Sequence, residues 1–181
     1  MKRLLLLAAL ALPGAAGATD YAVQPGASTL GFSDTFQGQA FDGHFGQWTA
    51  AISYDPANLA TSKFDVSVDL SSAKTGDDDR DGALPGPDFF DAAKFPRAHF
   101  VTTGFRRVGG KVVADGQLTL RGVTRPVSLA VDFRPQGQGA TLDVATTLKR
   151  LDFGVGGGQY ADASVIGAEV KVSAHLVLVA K

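Results

Sequence analysis

A run of carboxylates between Asp77 and Asp88 is the part of the chain whose residue types and spacing most suggest a metal site. Asp77, Asp79 and Asp81 occupy alternate positions, Gly82 follows, and Asp88 completes the set. Calcium prefers clustered oxygen ligands, and loops of this spacing supply them around a sharp glycine turn. The final ligand is aspartate rather than the longer glutamate, and the preceding segment has the periodicity of a strand rather than of an entering helix. A calcium-stabilised β interaction module is therefore an alternative hypothesis and not the principal one.

Residues that could act as nucleophiles or general bases are few. His44, His99 and His175 are far apart, and none has the spacing of a metal-ligand pair. The chain has no cysteine, and it has no G-x-S-x-G nucleophile motif. Aspartates are so numerous that some catalytic pair could always be proposed, so an aspartate-dependent hydrolase is the lowest alternative. The sequence predicts no enzyme and no bound cofactor.

Aromatic side chains point instead to an apolar ligand. The chain has 12 phenylalanines and one tryptophan, and they concentrate near predicted turns. The stretch from Phe36 to Trp48 holds one group, the long connection from Thr75 to Phe100 holds a second, and Phe153 precedes the glycine-rich segment 154–158. Long connections with apolar side chains are often binding loops or lids. We interpret these residues as the lining and cover of an apolar cavity, and ordinary core packing is the competing interpretation.

Alternation of apolar and polar residues is the dominant pattern along the chain. It is clearest in Phe64–Leu70, Val127–Phe133, Leu142–Leu148 and Val170–Leu178. Shorter strand candidates are Ser28–Phe32, Gly46–Tyr54, Ala98–Thr103 and Val112–Leu120. This pattern predicts about eight antiparallel strands, the number for which a closed barrel can hold one small ligand. A β-sandwich is also compatible with the pattern, because strand count alone does not choose between a sandwich and a barrel.

Helix is expected in one place only. The chain has 22 glycines and a single glutamate, Glu169, so it is poor in residues that favour helices. The stretch Pro87–Lys94, with Asp88 as the first cap and Pro96 after its end, predicts a short helix within the 74–97 connection. Gly122–Pro126 predicts a tight hairpin turn. The fold class is therefore all-β.

The first 18 residues are typical of a secretory signal peptide. Lys2 and Arg3 are followed by the apolar stretch Leu4–Leu12 and by the small residues Ala16–Ala18. Residues 1–18 are predicted to be the signal peptide and residues 19–181 a single mature domain in the periplasm. The mature part contains no apolar run of transmembrane length. The formal net charge of the whole chain is −1, which gives no reason to expect nucleic acid as a partner.

Several motifs resemble the YceI-like family, whose members are described as periplasmic, lipocalin-like barrels that bind polyisoprenoids. The resemblance covers nearly all of the mature chain. Its motifs are Gly43-His44-Phe45, Tyr54-Asp55-Pro56, Arg80-Asp81, Leu84, Asp88-Phe89-Phe90-Asp91, Phe95-Pro96, Asp115–Val127 and Arg150–Val155. The resemblance implies an antiparallel lipocalin-like barrel of about eight strands that holds a long isoprenoid.

We therefore expect an exported, non-enzymatic protein that holds a polyisoprenoid or an isoprenoid quinone for transport, storage or sequestration. Strand edges and apolar outer faces would also allow a homodimer. Arg80 and Arg150 could meet a phosphate head group, although ion pairs with Asp81 and Asp152 are the competing interpretation. The predicted ligand-binding residues are Phe36, Phe41, Phe45, Trp48, Phe89, Phe90, Phe95, Leu118, Leu120, Phe133, Phe153, Arg80 and Arg150.

Overall fold

The computed structural model describes residues 17–181, so nearly all of the predicted signal peptide lies outside the described residues. Within these residues, eleven strands and one α-helix, α1 (Asp78–Ala83), are connected by turns and short 3-10 helices. The strands are β1 (Thr19–Val23), β2 (Thr29–Phe36), β3 (Gln39–Phe45), β4 (Trp48–Tyr54), β5 (Lys63–Asp69), β6 (Ala73–Lys74), β7 (Arg97–Val108), β8 (Lys111–Leu120), β9 (Val123–Gln136), β10 (Gly139–Lys149) and β11 (Glu169–Ala180).

Eight of these strands close into an antiparallel barrel. The order around the ring is β1-β4-β5-β7-β8-β9-β10-β11, and β1 closes it by pairing with both β4 and β11. Full closure leaves no free edge along the paired segments of the ring. The predicted all-β, antiparallel, eight-stranded barrel is therefore confirmed.

The remaining strands extend the wall at one end of the barrel. The C-terminal part of β11 pairs with β1, whereas its earlier residues Lys171–His175 pair with β2. β3 then pairs with β2, and β6 pairs with β3. The sequence did not predict β1, β3 or β6. β6 has only two residues, and glycine and short polar residues interrupt the apolar pattern of β3.

The short helix predicted within the 74–97 connection is confirmed, but its predicted position at Pro87–Lys94 was wrong. The helix lies at Asp78–Ala83, where the Asp77 side chain caps it by accepting a hydrogen bond from the Arg80 amide at 2.9 Å. The stretch 87–94 forms consecutive turns instead, with the Asp91 amide donating to the Gly86 carbonyl at 2.8 Å. Asp91 itself has a φ of 49°, which is incompatible with a continuing right-handed helix.

Two clusters of apolar side chains fill the two ends of the barrel. At one end, the Tyr54 ring lies 4.7 Å from that of Phe133 and 5.9 Å from that of Phe64. At the other end, Phe90 and Phe153, from the connections that follow α1 and β10, pack in one buried cluster with Leu70 and Ala98. Such aromatic packing makes the first end a solid plug and leaves the space between the clusters as the interior of the barrel.

Candidate functional site

A cavity of about 570 Å³ lies inside the barrel and is lined mainly by apolar side chains. Because side chains alternate across a strand, every second residue of each wall strand faces the interior. The strand residues that line the cavity include Leu30, Phe32, Trp48, Ala50, Ile52, Phe64, Val66, Val68, Phe100, Leu118, Leu120, Val127, Leu129, Leu142, Val144, Leu148, Val170, Val172 and Leu176. The volume and the apolar lining are typical of a small-molecule site.

Two connections cover one end of the cavity, and together we call residues 84–96 and 150–167 the cap. Phe89, Phe90, Phe153 and Tyr160 of the cap all line the cavity. The Phe89 and Tyr160 rings lie 5.1 Å apart, so side chains from the two connections pack directly against each other. The Gly156 amide also donates to the Asp88 carbonyl at 2.8 Å. The cap is therefore one packed unit.

Arg150 holds the second connection of the cap in place. Its side chain is only 4% exposed, and all five of its N–H groups donate to backbone carbonyls. The acceptors are the carbonyl oxygens of Gly167, Val155, Gly156, Tyr160 and Ile166. Burial lowers the pKa of the guanidinium, and the charge of Asp34 opposes that shift. Arg150 is therefore committed to the backbone and has no free donor for a ligand head group.

Arg121 links the two connections of the cap to the barrel wall. It lies in the hairpin turn between β8 and β9, where Arg121 and Gly122 have φ values of 51° and 75°. The turn is tight, as predicted, but it consists of Arg121 and Gly122, and residues 123–126 of the predicted turn already belong to β9. One terminal nitrogen of Arg121 donates to the Gly154 carbonyl at 2.8 Å, and the other donates to the Pro87 carbonyl. Sequence reasoning assigned this turn to structure but missed the arginine that ties both halves of the cap together.

The helix α1 contributes charged residues to the cavity lining. The Arg80 guanidinium lies 4.7 Å from the centroid of the Phe41 ring, a cation–π arrangement. A terminal nitrogen of Arg80 also lies 3.4 Å from a carboxylate oxygen of Asp77. Asp79, on the same helix, lines the cavity as well. Arg80 therefore pairs with Asp77, and not with Asp81 as the sequence suggested.

Asp34 is a partly buried carboxylate in the cavity lining. Burial raises the pKa of this group, whereas the Thr35 amide and the charge of Arg150 lower it. Asp34 lies opposite Phe41 in the β2–β3 ladder, and opposite residues of an antiparallel pair share one face. Asp34, Asp77, Asp79, Arg80 and Arg150 consequently lie at the same end of the cavity, and we call these five residues the polar rim.

Most of the predicted ligand-binding residues lie around this one cavity. Phe36, Phe41, Phe45, Trp48, Phe89, Phe90, Leu118, Leu120, Phe153, Arg80 and Arg150 all belong to its lining. Two do not: Phe133 packs against Tyr54 in the plug, and Phe95 lies against Gly122, where an added Cβ would come within 2.6 Å of its ring. Both contribute to packing next to the site.

Many lining residues were missed by the sequence-based selection, which favoured aromatic clusters. Val66, Val68, Val144, Val170 and Val172 are examples from three different strands. The signal was present, because these residues occupy the apolar phase of the alternation that identified their strands. Selecting the apolar alternate positions of every strand around the ring identifies most of the residues that form the cavity wall.

The carboxylates of the suspected calcium loop have other roles in the structure. Asp77 caps α1, and Asp81 accepts hydrogen bonds from the Thr75 amide at 2.6 Å and the Thr75 hydroxyl at 2.8 Å. The Asp81 carboxylate also lies 3.8 Å from the Lys74 ammonium group. Across residues 17–181 the structure contains no group of three or more His, Cys, Asp or Glu side chains placed to hold a metal ion.

The histidines of β7 and β11 lie on the outside of the barrel. His99 Nε2 is 2.8 Å from Asp65, and His175 Nδ1 is 2.6 Å from Asp143. The hydrogen bond from His99 is the main reason that the pKa of Asp65 is lowered. Both pairs are exposed and neither lines the cavity, so they stabilise the strand surface rather than the site.

Within the described part of the chain no helix is long and apolar enough to cross a membrane.

A closed antiparallel barrel with an apolar cavity beneath a packed cap defines the lipocalin-like class of β-barrels. A family model described as the YceI-like domain matches residues 21–178. The chain therefore belongs to the YceI-like family. It is 38% identical to a UPF0312 protein of Vibrio vulnificus (strain YJ016) over 133 residues, which are 71% of this chain and 70% of the relative.

Solved structures agree with this assignment. The chain is 30% identical to BcnA of Burkholderia cenocepacia, with a TM-score of 0.82 over 86% of this chain and 99% of the other. A polyisoprenoid binding domain from Saccharophagus degradans, implicated in plant cell wall breakdown, has a TM-score of 0.69 at 19% identity. That match covers 91% of this chain and 99% of the other, and at this identity it supports the fold alone.

Proposed function

We propose that this protein binds a long apolar chain, a polyisoprenoid or an isoprenoid quinone, inside its barrel and performs no chemistry on it. The observation that carries the proposal is the apolar cavity of about 570 Å³ between the plug and the cap. An interior space of this kind is costly to keep empty, because its lining loses packing contacts. A hydrocarbon ligand restores those contacts.

The lining suits a ligand with few polar groups. Burial of apolar surface stabilises a complex by about 25 cal/mol per Å², before the costs of association and chain ordering are subtracted. Aliphatic and phenylalanine walls offer no hydrogen-bond pattern and therefore select for length and girth. The Saccharophagus degradans domain, which shares this fold, is named for a polyisoprenoid, a ligand with few polar groups.

Four charged residues beside the cavity already contribute to holding the structure together. Arg150 and Arg121 support the cap, Asp77 caps α1, and Arg80 packs on Phe41. A catalytic role would require side chains positioned to react with a bound substrate. Holding and releasing the ligand is the simpler use of this arrangement. The signal-peptide pattern of residues 1–18 favours the periplasm as the place where it acts.

Trp48 provides a direct test, because it is the only tryptophan of the chain and it lines the cavity. Delipidated protein is titrated with geranylgeraniol while the Trp48 fluorescence is recorded. A saturable change in emission is expected. Ala50→Phe, which places a ring in the cavity beside Trp48, should weaken binding roughly tenfold or more, since it removes space that the ligand needs.

Ala51→Phe is the matched control. Ala51 is the neighbouring residue on the same strand, but it is exposed and does not line the cavity. Thermal melts of both variants establish that they are folded. Equal binding by Ala50→Phe and Ala51→Phe would show that the ligand does not enter the barrel, and the absence of saturable binding by the wild type would refute the proposed function.

A further inference from the structure

The polar rim has an unbalanced charge distribution. Three carboxylates, Asp34, Asp77 and Asp79, line the cavity together with two guanidinium groups, Arg80 and Arg150. The register of β2 and β3 places Asp34 opposite Phe41, and Arg80 lies over the Phe41 ring. These charges therefore surround the region in which the polar head of an otherwise apolar ligand would lie.

Both cations of the polar rim are already engaged by the protein. All five donors of Arg150 are taken by backbone carbonyls. Arg80 lies against the Phe41 ring, 3.4 Å from the Asp77 carboxylate, and its Nε lies 3.4 Å from the Thr75 hydroxyl. A phosphate group is normally held by cations with free, correctly directed donors. Arg150 has no free donor for a phosphate, and a phosphate would have to compete with the Asp77 carboxylate for the charge of Arg80.

The carboxylates would repel a phosphate. Asp79 is exposed and forms no ion pair with any described residue, so its charge is not neutralised locally. Asp34 is half-buried in the wall, where water screens its charge less well. An alcohol or a quinone carbonyl carries no charge and can form hydrogen bonds with these groups.

We propose that the cavity selects isoprenoid chains with an uncharged head group, such as an alcohol or a quinone, over phosphorylated chains of the same length. This inference rests on the proposed function and specifies its ligand class. Asp34 and Asp79 are the residues that exclude the phosphate, and Arg80 and Arg150 serve the structure rather than the ligand.

The test compares geranylgeraniol with geranylgeranyl diphosphate, which have the same hydrocarbon chain and differ in the head group. Both are titrated into the full mature protein at low ionic strength, with Trp48 fluorescence as the readout. We expect geranylgeraniol to bind at least roughly tenfold more tightly, because each charge pair at close range in water contributes about 1 kcal/mol and the diphosphate carries more than one charge. Added salt should reduce the difference.

A pair of variants on α1 assigns the discrimination to the rim. Asp79→Lys changes a carboxylate that lines the cavity, whereas Asp78→Lys makes the same change at a neighbouring exposed residue that does not line it. Asp79→Lys should reduce the preference for geranylgeraniol roughly tenfold. Asp78→Lys should change it much less, since solvent and salt screen a charge outside the cavity.

The outcomes separate this inference from the proposed function. Equal affinity for the two lipids, or tighter binding of the diphosphate, would overturn the head-group selection and leave apolar-chain binding intact. Equal effects of Asp79→Lys and Asp78→Lys would overturn the role of the rim. Failure of both lipids to bind would refute the proposed function itself and this inference with it.

Discussion

Replacing Arg150 with methionine tests how the cap is held over the cavity. Methionine preserves much of the side-chain volume and removes all five donors that Arg150 directs at the backbone. The carbonyls of Val155, Gly156 and Ile166 belong to buried residues, so water cannot easily replace the lost donors. The other two acceptors belong to partly buried residues and can be solvated after a small movement.

The magnitude follows from those three buried acceptors. A buried acceptor left without a partner costs about 1–3 kcal/mol, and local relaxation reduces the sum. We expect Arg150→Met to lower the free energy of unfolding by roughly 3–5 kcal/mol, the range found when a buried charged network is broken. For a domain of this size that corresponds to a decrease in Tm of about 6–20 °C.

Thermal and urea denaturation measure this change, with Arg106→Met as the matched control. Arg106 is 51% exposed and pairs with Asp115 on the barrel surface, so its replacement should have little effect. Arg150→Lys keeps the charge but loses the planar fork, and an intermediate loss is expected. If the free energy of unfolding of Arg150→Met lies within about 1 kcal/mol of the wild-type value, the hydrogen bonds of Arg150 do not hold the cap.

Three further predictions concern metal dependence, pH and backbone packing. A chelator should leave the Tm unchanged, because Asp77 and Asp81 are engaged in a helix cap and in contacts with Thr75; a lower Tm would revive the calcium hypothesis. Asp34→Asn should raise the Tm at neutral pH, because the raised pKa of Asp34 means that its ionisation destabilises the fold as pH rises; the gain should disappear near the usual aspartate pKa of 3.8, and a gain independent of pH would contradict this. Gly139→Ala should cost about 1–3 kcal/mol, since its Cβ would lie 2.2 Å from the Leu178 carbonyl oxygen, whereas Gly104→Ala should be tolerated; equal urea midpoints would refute the packing argument.

The main strands could be predicted because their signal is local, whereas closure into a barrel was implied by the resemblance to the YceI-like family. Apolar residues alternate along β5, β9, β10 and β11, and glycine turns precede and follow β9. β6 could not be found in this way, because a strand of two residues is too short to show an alternating pattern. The helix was placed wrongly because the connection contains several aspartates that could cap a helix. The sequence does not decide between Asp77 and Asp88 as the N-terminal cap.

The residues lining the cavity were predicted from aromatic clusters. This choice explains which of the predicted residues line the cavity and which do not. Most of the selected phenylalanines line the cavity, whereas Phe133 belongs to the plug at the far end of the barrel. Which end of a strand faces the plug and which faces the cavity depends on barrel closure, and closure depends on pairing between distant strands. The five acceptors of Arg150 are likewise set by the path of the 150–167 connection and have no local signature.

Native mass spectrometry of the protein purified from the cells that produce it tests most directly whether the cavity holds a ligand. We expect an added mass that is released into organic solvent, matches an isoprenoid chain, and is absent from Ala50→Phe but present in Ala51→Phe. A protein mass without ligand, unchanged after incubation with geranylgeraniol, would contradict the central claim that the cavity is a binding site.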